Sequence, residues 1–135
     1  MNDGQQKHVI VLTCGTEDGG ARATLAMALA VSLQAMGCDV AVYMNFQAAI
    51  WALKGATRSI QIPGFDSLET YLKLFEDGGG KVYACASCFE HLAVWNQGED
   101  ISEGGVPTSA LRDGVIPAGV TTLASLLAER RAVSL

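Results

Sequence analysis

The chain has 135 residues, enough for one domain and too few for two of ordinary size, so residues 1–135 are read as a single domain. Half of the residues are apolar, which supplies a full core, and the net charge of −5 with no basic run excludes a nucleic-acid-binding role. The opening MNDGQQKHVIVL lacks the basic region and cleavage site of a secretion signal, and the longest apolar stretch, residues 21–36, is too short to span a bilayer and carries Arg22, Ser32 and Gln34. A cytoplasmic protein away from the membrane is expected. Its four cysteines should then be reduced, which favours thiol chemistry or burial over a disulfide framework.

Residues 1–7 read as a tail. Residues 8–13 (HVIVLT) form a β-branched apolar run without alternation, the pattern of a strand buried on both faces of a parallel sheet. Residues 14–20 (CGTEDGG) are a loop. Residues 21–36 predict a helix rich in Ala, Leu and Met, stopped by Gly37. It is apolar nearly all round, so it should be buried against its sheet and against another subunit. Residues 39–44 (DVAVYM) are a second strand, 47–54 a short helix ended by Gly55, and 56–64 a loop. Residues 66–77 predict an amphipathic helix with Leu68, Tyr71, Leu72 and Phe75 on one face, capped by Asp66 or Ser67 and ended by Gly78, Gly79 and Gly80. Residues 81–84 are the third strand and 87–95 a helix. Residues 96–113, polar and rich in glycine, read as a long loop or a partly ordered flap. Residues 114–117 are a short strand, Val120, Leu123, Ala124 and Leu127 mark the next helix, and residues 132–135 close the sheet as an edge strand.

Strands alternating with helices predict a mainly parallel five-stranded sheet between two helical layers. In such sheets the working residues stand at the carboxyl ends of strands, near the point where the strand order reverses. With the order 2-1-3-4-5 the first and third strands are neighbours, and Cys14 and Cys85 then share one crevice.

The stretch KVYACASCFE ends the third strand in Cys85 and places Cys88 three residues on. A Cys-x-x-Cys there reads as a redox dithiol, half of a metal site, one reactive thiol with a bystander, or packing. A thiol between a strand end and a helix start meets free N–H groups, which favour the thiolate. Against this stands the plain reading of free Cys as a small buried hydrophobe. Cys88 either resolves a disulfide with Cys85 or faces the core beside Phe89. A closed zinc site needs four ligands, and only this one pair is closely spaced, so no metal is expected. Gly15 and Gly20 have the spacing of a phosphate loop, but Ala21-Arg22 replaces Lys-Ser/Thr, and Glu17 and Asp18 repel phosphate. That stretch reads as a glycine-rich connection. His91 should point away from Cys85, and Trp51 and Trp95 read as core or subunit-interface residues.

Three stretches, VIVLTCGTEDGGARATLAMALAVSLQAMGCDVAVYMNFQA, GGKVYACASCFE and RDGVIPAGVTTLASLLAE, resemble in order and spacing the DsrE/DsrF-like sulfurtransferase family. The resemblance runs from His8 to Leu135. It implies a flavodoxin-like three-layer α/β/α fold, trimers or hexamers, and cytoplasmic sulfur handling such as sulfur oxidation. It also implies a cysteine at this strand end that carries sulfur as a persulfide between a donor and an acceptor protein, such as a small TusA-like carrier. Only Cys85 matches that position; Cys88 stands where the family often has Met, and Cys14 matches no assigned one. The expected function is therefore a sulfur carrier with Cys85 as nucleophile, Ser87 and the amides of Ala86 and Ser87 as donors to the sulfur anion, and no cofactor. Cys88 is a second thiol and Cys14 a further candidate. The alternative is a thiol-disulfide oxidoreductase or redox sensor using Cys85 and Cys88.

Overall fold

The computed structural model describes residues 5–96 and 105–135. Strands β1 (Lys7–Leu12), β2 (Asp39–Met44), β3 (Lys81–Cys85), β4 (Val115–Ala118) and β5 (Arg131–Ser134) form one sheet in the order β4-β3-β2-β1-β5. Every pairing is parallel. Helices α1 (Ala21–Ala35), α2 (Leu68–Asp77), α3 (Ala86–Glu90), α4 (Leu92–Trp95) and α5 (Val120–Glu129) connect them, with a 3-10 stretch at Phe46–Ala52. The fold is the flavodoxin-like α/β class read from the sequence. Its strand order is not 2-1-3-4-5.

The sides taken by the helices explain the order. Parallel crossovers are right-handed, so successive helices on one face carry the strands in one direction. Side chains of α1, α2, α3 and α4 (Met27, Leu72, Phe89 and Leu92) share one core with Ile10, Val42 and Val82. The strands therefore step from β1 to β4 without reversing. Among the described helices only α5 packs on the other face, where Leu126 meets Val9, Ala41 and Tyr43. It returns the chain across the sheet to lay β5 beside β1. The reversal of strand order thus falls between β1 and β5, and β2, buried from Val40 to Met44, lies in the middle. Pro117 is tolerated because β4 is an edge strand.

The apolar girth of α1 has a partner within the chain: the helix packs on the sheet with one side and on α2 with another. The second contact expected from another subunit is thus already made by α2. Helix α2 opens on Ser67, whose hydroxyl accepts the Thr70 N–H at 3.2 Å, and buries Leu68, Leu72 and Phe75. The helix expected over 87–95 is two short pieces, α3 and α4, because His91 leaves helical geometry at φ −108° and ψ 35°. The short helix expected at 47–54 is the 3-10 stretch, and Lys7, read as tail, opens β1. Of the long loop at 96–113, residues 97–104 lie outside the described residues, as do residues 1–4 of the tail. No helix among the described residues is long and apolar enough to cross a membrane.

Candidate functional site

Three strand ends converge at the carboxyl edge of the sheet. β1 runs into Cys14, β2 into Asn45 and Phe46, and β3 into Cys85 and Cys88. Since β2 stands between β1 and β3, the first and third strand ends are roughly 10 Å apart, two strand spacings. The adjacency expected of Cys14 and Cys85 is therefore absent.

Cys14 is 4 % exposed, and Arg22 Nη1 approaches its sulfur at 3.8 Å. Burial pushes its thiol up, as do Asp18 and Glu17, against the lowering effect of Arg22. The balance favours the neutral thiol at Cys14. The loop that follows closes on itself. Asp18 carboxylate oxygens accept the N–H groups of Gly20, Ala21 and Arg22 at 3.0, 3.1 and 2.9 Å. Burial raises the Asp18 carboxyl, but these amides and the Cys14 thiol outweigh it and hold it below its usual range. The N-terminus of α1 thus already holds an anion of its own, the Asp18 carboxylate. Its glycines serve packing. A Cβ on Gly15 would stand 2.6 Å from the Gln47 carbonyl oxygen, and Gly20 sits at φ +90° against Ile60.

Cys85 caps α3 and is half-buried. Its sulfur accepts the Cys88 N–H at 3.4 Å. The amide that reaches it is that of Cys88, not those expected of Ala86 and Ser87. Ser87 is exposed and uses its carbonyl to accept the His91 Nδ1–H at 2.9 Å. With five residues α3 has little dipole to offer, so local N–H contact replaces a long helix as the stabiliser of a sulfur anion. His91 is exposed and belongs to that carbonyl contact.

Cys88 is 5 % exposed. Its thiol donates to Asn45 Oδ1 at 3.5 Å and accepts the Phe46 N–H at 3.3 Å. Burial first, then the neighbouring Cys85, push it up to about 11. Phe46 holds a left-handed φ of 49°, rare for a non-glycine residue, and packs its ring tilted against Trp95 with centroids 4.9 Å apart. Both rings are partly exposed beside the thiols, so Trp95 lines this edge, whereas Trp51 is core. On the α5 face Tyr43, 1 % exposed, packs with Cys85 and donates its hydroxyl to the Gly119 carbonyl at 3.1 Å. Sequence reasoning missed Tyr43, because only the register of the sheet brings it against Cys85.

A cleft of about 400 Å³ opens between Ala86, Phe89, Glu90, Val106 and Pro117, and Cys85 does not line it. A larger cavity of about 520 Å³ lies at the opposite edge of the sheet, between Cys38, Asp39, Lys81 and Arg130, remote from these thiols. Among the described residues no three or more His, Cys, Asp or Glu stand together as a metal site.

The sequence model described as the DsrE/DsrF-like family matches residues 7–133. The chain belongs to the DsrE/DsrF-like family. Membership suggests a sulfur-relay role, with sulfur-relay partners, in general. No curated protein sequence matches this DsrE/DsrF-like chain. Among solved structures it is similar to the ychN protein from E. coli, at 19% identity over 97% of this chain and 100% of that one, with a TM-score of 0.70. It is also similar to a conserved protein of unknown function, BT1422, from Bacteroides thetaiotaomicron, at 12% identity over 94% of both chains, with a TM-score of 0.56. At these identities the two structures speak for the fold alone.

Proposed function

We propose that this DsrE/DsrF-like chain is a cytoplasmic sulfur carrier whose nucleophile is Cys85. The observation that carries the reading is a half-buried thiol at a strand end, with an N–H on its sulfur. The Cys85 thiolate attacks the outer sulfur of a donor persulfide. A new S–S bond forms on Cys85 while the donor's own S–S bond breaks, and the donor leaves as a thiolate. An acceptor thiolate, as on a small TusA-like carrier, then takes the terminal sulfur, and Cys85 departs as the thiolate it was. No oxidant is consumed. Ser87 stands exposed at the rim, where its hydroxyl meets the incoming partner rather than the sulfur. Cys14 takes no part.

Polysulfide treatment should add mass to the wild type in sulfur-atom steps. Cys85→Ser should take up none, whereas Cys88→Ser should load to at least half the wild-type extent. Loading that survives in Cys85→Ser would overturn the assignment.

The dithiol reading has one observation in its favour, the Cys88 N–H on the Cys85 sulfur, which keeps the two residues side by side. It predicts instead a loss of two hydrogens linking Cys85 to Cys88, abolished by Cys88→Ser. The engaged Cys88 thiol, bonded to Asn45 and Phe46, favours a fixed bystander.

The carrier is proposed to assemble as a trimer or hexamer. Support comes from apolar side chains exposed on β4 and α5: Ile116, Leu127 and Val120, the last 77 % exposed. Sedimentation at micromolar concentration should show a mass at least three times that of the chain; a monomer would refute the assembly.

A further inference from the structure

The thiolate and persulfide forms of Cys85 are anions in a half-buried position, and the Cys88 N–H is one donor where such a sulfur accepts several. The register of the sheet supplies a second. Tyr43 on β2 lies opposite Tyr83 on β3, which lies opposite Ile116 on β4. The Tyr43 hydroxyl nevertheless ends on the carbonyl of Gly119, three residues past Ile116. The phenol must therefore cross β3 while leaning toward the carboxyl edge. The residue that β3 presents on that face one period beyond Tyr83 is Cys85, whose strand partner Ala118 adjoins Gly119. Tyr43, Tyr83, Cys85 and Ala118 share one packed cluster there.

We propose that the Tyr43 hydroxyl is the second donor to the Cys85 sulfur, turning its hydrogen from the Gly119 carbonyl to the sulfur when the thiolate or persulfide anion forms. This rests on the reading of Cys85 as a sulfur carrier. No proton changes owner; only the O–H bond rotates. The direction of the exchange follows from charge, because a hydrogen bond to an anion is about twice as strong as one to a neutral carbonyl. The Gly119 carbonyl belongs to an exposed residue, so water replaces the donor that it loses. Burial first, then the charges of Cys85 and Cys88, push the phenol up to about 12. It therefore keeps its hydrogen over the range in which thiols ionise. The titratable groups facing Cys85 are Tyr43 from β2, Tyr83 on its own strand and Cys88 from α3. β4 and α5 bring Ala118, Leu123 and Leu126, which carry no charge.

Tyr43→Phe keeps the ring and removes the donor. The test is the rate of iodoacetamide labelling at the Cys85 peptide, followed by mass spectrometry across the pH range of thiol ionisation. The midpoint of that profile should move up by about one pH unit in Tyr43→Phe, and labelling well below it should slow about tenfold. A profile that superimposes on the wild type would overturn the proposal and leave Tyr43 as a tether for Gly119 alone. Should the variant fail to fold, the wild type itself decides. The Val120 amide nitrogen shift should then follow the Cys85 midpoint as Gly119 loses its donor, and a flat response would refute the exchange. Failure of the carrier reading is separate: a wild type that takes up no sulfur, yet shows the midpoint difference, sinks the carrier and keeps the donor.

Discussion

Trp51→Ala is expected to destabilise the protein by about 3–5 kcal/mol, and to lower the thermal midpoint of a chain this size by roughly 10–15 °C. Trp51 is 1 % exposed and lies in the 3-10 stretch, where Ala48, Ala49, Ile50 and Ala52 are buried with it. Four small or aliphatic neighbours cannot fill an indole-sized hole, so a cavity is left. The indole N–H also donates to the Cys14 carbonyl at 3.0 Å, and its loss leaves that buried acceptor unpaired. Trp51→Phe separates the two effects, since it keeps most of the volume and loses only the donor. Its cost should be less than half that of the alanine variant. Urea unfolding read by circular dichroism checks both. A loss under about 1 kcal/mol for Trp51→Ala would mean that the stretch does not pack against the first strand end as described.

The second large effect concerns Arg112, which joins the segment ahead of β4 to α2. Its guanidinium reaches Glu69 Oε1 at 2.8 Å and Glu76 Oε1 at 3.1 Å, and the Thr57 hydroxyl donates to the same Glu69 oxygen. Its backbone N–H donates to the Ala52 carbonyl at 2.7 Å, which survives substitution. The three charged side chains are between 13% and 24% exposed, so solvent screens only part of the interaction. Arg112→Ala leaves two half-buried carboxylates without a cation and should cost about 2–3 kcal/mol at neutral pH, below the figure for a fully buried pair.

That cost should depend on pH. Burial raises the Glu69 carboxyl, but Arg112 and Thr57 outweigh it and hold it below its ordinary range. A lowered carboxyl stabilises the fold fully above its unfolded value, about 4.3, and the contribution is lost as pH falls through the folded value. In Arg112→Ala burial acts without its main opponent, so the carboxyl shifts upward and acid now favours the folded state. The gap between the two proteins should therefore be widest near neutrality and close as the pH drops through the carboxylate range. A gap that stays constant from neutrality into that range would contradict the pairing.

The sequence revealed elements and strand direction better than it revealed layout. The continuous apolar run at His8 announced a strand covered on both faces, and the alternation of strands with helices announced parallel pairing. The strand order was hidden. It depends on which face each helix takes, and an apolar stripe on α2 or α5 shows that the helix packs, not on which side. The apolar girth of α1 misled for the same reason: its second neighbour is α2 of the same chain. At the site, the strand-end position of Cys85 was legible from the residues that flank it. The amide on its sulfur is that of Cys88 rather than those of Ala86 and Ser87, because an N-cap side chain reaches the third amide of its helix. Tyr43 was invisible as a site residue because it belongs to another strand, and only the register brings its hydroxyl to the Cys85 strand end.

The central claim is that Cys85 holds sulfur. Intact-mass spectrometry of the reduced wild type after exposure to polysulfide, followed by peptide mapping, tests it most directly. The account predicts mass added in sulfur-atom steps on the Cys85 peptide and removed by reductant, with the Cys14 and Cys88 peptides unchanged. Sulfur found only on Cys14 or Cys88, or a Cys85–Cys88 disulfide with no sulfur retained, would contradict it.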